Sequence, residues 1–150
     1  MKIINSNIVD ATESIIAHGC NCSGAFAAGV ARAIAKKWPK AREEYLELHK
    51  NAGLKLGQIQ VVDCDEKKVV NMFTQWSYGK RGRRYVDYDA LEDCFSKTLE
   101  WMEENDHKSL AIPMIGAGLG GGDWDEICKR IINVNNKHTD IEIVVYYIEK

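Results

Sequence analysis

The amino-acid sequence predicts an α/β fold in which helices layer both faces of a mixed, mostly parallel central sheet, a three-layer α/β/α arrangement. Three observations carry this expectation. Short β-like apolar runs alternate with helical patterns along the chain. Twice, at residues 14–37 and 110–131, a predicted strand ends in a glycine-containing loop that opens a helix. The 150 residues, 45% hydrophobic and 28% charged, fit one ordinary globular domain over 1–150. A chain of this size buries ~70% of its unfolded surface, enough for a real core.

In chain order, the pairs Ile3-Ile4 and Ile15-Ile16 predict strands over residues 2–8 and 14–18, separated by a polar turn. The small, polar run HGCNCSG at 18–24 reads as a loop, and residues 26–37, rich in helix formers, as the helix it opens. Pro39 breaks that pattern at Trp38, so residues 40–51 form a second helix with Ala41, Tyr45 and Leu48 on one side. Strands over 58–62 and 68–74, joined by a charged turn, are expected to be neighbours in one sheet. The clearest helix follows: Leu91, Cys94, Phe95, Thr98, Leu99 and Met102 share one stripe, and Asp87 or Asp89 can cap its start. A buried strand at 110–115, a helix with Trp124, Ile127, Cys128 and Ile131 at helical spacing, and a strand at 142–148 complete the pattern. In such sheets ligands bind beyond the carboxyl ends of the strands, so the loops at 18–24 and 116–123 are expected to face one crevice.

The second of these loops lies within IPMIGAGLGGGDW, residues 112–124, and holds five glycines between a strand's end and a helix's start. Residues without a Cβ let successive N–H groups turn toward one point, and a helix N-terminus adds partial positive charge. Together these favour an anionic oxygen, with phosphate or diphosphate as the guest. The alternative is a tight turn with Asp123 as N-cap and Glu126 completing a capping-box-like pair, which needs only one or two glycines. Gly116, Gly118 and Gly121 match the spacing G-x-G-x-x-G, but that dinucleotide fingerprint belongs in the first βαβ unit of a longer domain. No Lys-Ser or Lys-Thr follows to make a P-loop.

Composition excludes several classes. No apolar run approaches membrane-spanning length, the start MKIINS lacks a signal-peptide core, and five cysteines read as reduced thiols, so the expected setting is cytoplasmic. A net charge of −2 argues against a general nucleic-acid binder. His18, at the end of a predicted strand beside the presumed phosphate site, is a candidate proton donor or acceptor; the alternative is a histidine satisfied by a backbone carbonyl. Asp123 is a candidate general base, a helix cap, or both. Cys20 and Cys22 beside His18 suggest a metal, yet no second cysteine pair completes a zinc set, and no thiol has a base placed to activate it. No metal or cofactor is expected. Lys80, Arg81, Arg83 and Arg84, with Trp76, Tyr78 and Tyr85 nearby, either hold a phosphate under an aromatic cover or form a solvated loop.

The two loops, in this order and with these helices, resemble those of the macrodomain family, whose members bind ADP-ribose. The resemblance covers nearly the whole chain: IIAHGCNCSG at 15–24 with GVARAI at 29–34 is similar to the first ligand loop, and PMIGAGLGGGDW at 113–124 to the second. NMFTQ at 71–75 with YDAL at 88–91 further resembles the small ADP-ribose 1″-phosphate phosphatase branch. The family implies that Asn21 hydrogen-bonds the distal ribose, and that backbone at Gly24, Gly29, Gly116, Ala117, Gly118, Leu119, Gly120 and Gly121 holds the diphosphate. It also implies that Ile8 lies by the adenine, with Asn7 standing where an aspartate commonly reads the adenine amino group. In the phosphatase branch, His18 and Asp123 match the catalytic candidates. A related glycohydrolase branch uses a lysine and an aspartate that align with Gln75 and Gly120, so both groups are missing here. The resemblance therefore implies a phosphatase that releases the terminal phosphate of ADP-ribose 1″-phosphate. The alternatives are a module that binds ADP-ribose without cleaving it, and a glycohydrolase with other residues acting on ADP-ribosylated protein.

Overall fold

A computed structural model describes residues 1–78 and 83–149. The strands are β1 (Lys2–Asn5), β2 (Ile15–Asn21), β3 (Ile59–Cys64), β4 (Lys67–Gln75), β5 (Ser109–Ile112) and β6 (Glu142–Tyr147). The helices are α1 (Gly29–Lys37), α2 (Pro39–Asn51), α3 (Tyr88–Glu104) and α4 (Trp124–Asn135). All six strands form one sheet in the order β1-β6-β5-β2-β4-β3. Every neighbouring pair is parallel except β3 with β4, which the short turn at Asp65 makes an antiparallel hairpin.

Strands β2, β4, β5 and β6 are buried almost end to end, so both faces of the sheet need a helical cover. On one face Leu91, Phe95 and Leu99 of α3 and Ile127 and Ile131 of α4 pack with Ile15, Met72, Leu110, Ile112 and Val145. On the other, Ile34 of α1 and Ala41 and Tyr45 of α2 pack with Cys20, Val69 and Phe73. The apolar stripe read along α3 is the face it buries, and Asp87 caps it by accepting the Ala90 N–H at 2.9 Å.

Some boundaries fall elsewhere than expected, each for a local reason. β1 stops at Asn5, because Asn7 caps a 3-10 turn at Ile8–Asp10 by accepting the Val9 N–H. β2 continues past His18 to Asn21, because β4 offers partners for each added residue. α1 begins at Gly29, since Phe26 is drawn into the core at 2% exposure and holds the preceding loop down. β5 ends at Ile112, because Pro113 has no N–H to continue the ladder.

The topology fixes where a ligand can sit. β2 and β5 are parallel neighbours, yet after β2 the chain passes through α1 and α2 toward β3 and β4, and after β5 it passes through α4 toward β6. The loops leaving their carboxyl ends diverge, which opens a crevice at this switch point.

Candidate functional site

The first loop, residues 22–28, is braced from within. Asn21 is 8% exposed; its Oδ1 accepts the N–H groups of Ser23 and Ala25 at 3.0 and 3.2 Å, and its Nδ2 donates to the Ala25 carbonyl at 2.8 Å. The hydroxyl of fully buried Tyr45 lies 2.9 Å from Asn21 Oδ1 and 2.8 Å from its carbonyl. In this arrangement the Asn21 amide clamps the loop. Gly24 rests against the ring of His49 on α2.

Beyond this bracket, α1 starts without a side-chain cap and without an acidic residue in its first turn. The N–H groups of Gly29, Val30 and Ala31 find no acceptor among the described residues. α4 is the opposite case, with Asp123 accepting the Asp125 N–H at 3.1 Å and Asp125 and Glu126 following in its first turn. The partial positive charge of α4 is thus compensated by the protein, whereas that of α1 is left for a guest.

The second loop folds on itself through the Ala117, Gly121 and Gly122 N–H groups, which donate to the carbonyls of Met114, Gly118 and Gly116. The N–H groups of Gly118, Leu119 and Gly120 have no acceptor among the described residues. The Gly120 carbonyl accepts from Tyr85 and Val86 at 2.7 and 3.1 Å, tying the loop to the segment before α3. Gly121, at φ 69°, lies so close to the Arg83 carbonyl that no Cβ fits. Leu119, 68% exposed, crosses to the first loop: a Cβ on Gly29 (φ 57°) would lie 3.0 Å from its Cδ1. The two predicted loops therefore meet, as expected for residues facing one crevice. Gln75 and Gly120 are also adjacent, a Cβ on the glycine reaching within 3.0 Å of Gln75 Oε1. The positions matching the glycohydrolase pair are thus together but carry neither group.

Not every sequence-level candidate joins them. His18 is 1% exposed on the α1/α2 side of the sheet, where its ring meets Phe26 edge-on at 5.2 Å. Asn71 Nδ2 donates to Ala41 and Gln60, leaving its Oδ1 to accept from His18 Nε2 at 2.7 Å. Burial pulls the His18 pKa from 6.5 down to about 4, against the raising effect of that hydrogen bond. The His18 ring is thus a neutral core group, satisfied by a side-chain amide. Cys20 is buried beside it, and Cys22 is buried in the same cluster as Cys20, where burial raises its thiol to about 11.

This burial has a pH signature. Between pH 6.5 and about 4 the unfolded chain binds a proton at His18 that the folded chain refuses, so stability is full above 6.5 and falls as the pH drops. The loss reaches about 3 kcal/mol by pH 4. Urea denaturation across this range should show a shallower pH dependence for His18→Gln than for the parent. Identical slopes would contradict the assignment.

Asp123 stays exposed at the exit of the second loop, and its N–H donates to the Tyr88 hydroxyl at 3.0 Å. Asn7 and the buried Ile8 sit after β1, also at the carboxyl end of the sheet. Arg83 and Arg84 flank the second loop, while Lys80 and Arg81 lie outside the described residues. Sequence reasoning missed the Tyr45 brace, the Tyr88 contact and the His49 ring behind Gly24; each joins residues distant in the chain.

Known proteins share this fold. The sequence matches the Macro domain family over residues 17–131. A relative from Candida albicans named ADP-ribose 1″-phosphate phosphatase is 26% identical over 147 residues, covering 87% of either chain. A Mycobacterium tuberculosis relative named DNA ADP-ribosyl glycohydrolase is 24% identical, covering 90% of this chain and 38% of its own. Among solved structures, the macrodomain of Mycobacterium tuberculosis DarG matches with a TM-score of 0.85 at 21% identity, over 99% of this chain and 97% of that one. With the sequence match spanning most of the sheet and both glycine loops, the chain belongs to the macrodomain family.

Proposed function

We propose that this chain binds ADP-ribose between its two loops and hydrolyses ADP-ribose 1″-phosphate to ADP-ribose and phosphate. One observation carries the binding: the uncapped start of α1 and the unpartnered N–H groups of Gly118, Leu119 and Gly120 meet where Leu119 reaches Gly29. Two sets of fixed donors suit the two phosphates of a diphosphate, and neutral donors hold it without a counter-ion. At the end of β1, Asn7 Oδ1 is occupied by the Val9 N–H, which leaves Nδ2 to donate to a ring nitrogen of the adenine.

The hydrolytic half rests on Asp123 and on the likeness to the Candida phosphatase. Water attacks phosphorus in line with the 1″ oxygen and passes a proton to the Asp123 carboxylate. The bond from phosphorus to the 1″ oxygen breaks, its electron pair leaves on that oxygen, and solvent protonates it. The loop donors fix the rest of the substrate while this occurs. His18 takes no part.

A second reading has its own support. His18 and Asn21 face internal partners, and Gln75 with Gly120 supplies no lysine–aspartate pair, which suits a module that binds ADP-ribose without cleaving it. Incubation with ADP-ribose 1″-phosphate, followed for phosphate and intact ADP-ribose, separates the two. Equal release of both products supports the phosphatase. Tight calorimetric binding with no phosphate release supports the module, and no binding of either ligand rejects both.

A further inference from the structure

We infer that Arg84, Tyr88 and Asp123 form the seat of the substrate's terminal phosphate, a phosphomonoester dianion. This rests on the hydrolytic reading above and names the residues that would distinguish the phosphorylated substrate from its product.

Two guanidinium groups lie over the Tyr88 ring, Arg84 at 4.6 Å and Arg130 at 5.9 Å from its centroid, and they differ in what surrounds them. Arg130 is saturated, with Asp89, Glu126 and Glu92 at 2.6, 3.1 and 3.7 Å. Arg84 is exposed and has no ion pair or hydrogen bond among the described residues. Stacking on Tyr88 holds its position, while its five donors meet no acceptor among the described residues. Its backbone is packed against the second loop, since a Cβ on Gly121 would lie 3.1 Å from Arg84 Cα.

The Tyr88 hydroxyl joins this cation to the candidate base. Its oxygen accepts the Asp123 N–H, and its own hydrogen remains to donate. Most nearby carboxylates that would repel a dianion are engaged elsewhere: Asp89, Glu92 and Glu126 by Arg130, and Asp87 by the Ala90 N–H. Asp125, in the exposed first turn of α4, has no ion pair among the described residues. Asp123 is the carboxylate the reaction uses. A planar guanidinium fork matches two phosphate oxygens, so the cluster binds a phosphomonoester and gains little from a ribose hydroxyl.

Calorimetry on Asp123→Asn protein, which retains the cap and loses the base, tests this with ADP-ribose 1″-phosphate and ADP-ribose as paired ligands. The phosphorylated ligand should bind about tenfold more tightly. Adding Arg84→Gln should abolish that preference and leave ADP-ribose affinity unchanged, and Arg84→Lys should restore part of it. The proposal is overturned, with the ADP-ribose reading intact, if the preference survives Arg84→Gln or never existed. Equal weakening of both ligands in Arg84→Gln also overturns it, since the arginine would then only shape the loop. If neither ligand binds the unsubstituted protein, the inference and the reading beneath it fail together.

Discussion

Gly121→Val should weaken ADP-ribose binding by about a hundredfold or more while leaving the sheet folded. Gly121 sits at φ 69° with the Arg83 carbonyl where a Cβ would stand and Arg84 Cα only 3.1 Å from it. Those neighbours are backbone, so the loop itself must move. Leaving this conformation follows from a left-handed cost of about 1–2 kcal/mol for a residue with a side chain. The shift also loosens the two hydrogen bonds at the Gly120 carbonyl, each worth about 1 kcal/mol. Some 3 kcal/mol to restore the binding geometry corresponds to roughly a hundredfold in affinity. Gly118→Ala is the matched control: its Cβ would meet nothing within 4 Å, so affinity should change by less than about threefold. Calorimetry with ADP-ribose, beside thermal melts of both variants, reads this directly; normal binding by Gly121→Val would mean the second loop does not shape the site.

Asp123→Asn should lower turnover of ADP-ribose 1″-phosphate by about 10²–10⁴ with the fold and ADP-ribose affinity retained. Asparagine caps a helix as well as aspartate does, so the Asp125 N–H keeps its acceptor while the proton acceptor for water is lost. Asp123→Ala removes both functions and should in addition cost about 1 kcal/mol of stability. His18→Gln, by contrast, should lose stability near neutral pH and keep its turnover. Initial rates alongside melting temperatures separate these outcomes. Undiminished turnover in Asp123→Asn would transfer the proton chemistry to another group.

What could be read from the sequence depended on how local its cause was. The α3 stripe from Leu91 to Met102 declared itself because a helix buries residues at its own period. The glycines at 116–122 stood out because so many are needed only where backbone approaches backbone or a ligand. The extension of β2 past His18 through Gly19, Cys20 and Asn21 was hidden, since these residues have little strand preference and are held there by pairing with β4 and by the packing around them. The hydrogen bond that holds His18 was hidden because its partner, Asn71, is remote in sequence. The brace on Asn21 was hidden for the same reason, since Tyr45 is remote in sequence. The missing cap at Ala28 was visible in principle, but placing the helix start at residue 26 concealed it.

The proposed function requires two backbone-lined loops to grip one diphosphate. Backbone amide shifts followed during titration with ADP-ribose test this most directly. Saturable one-to-one binding, with the largest shifts at residues 24, 29–31 and 116–121, is the predicted result. No saturation, or shifts confined to the β3–β4 hairpin while both loops stay silent, would contradict it.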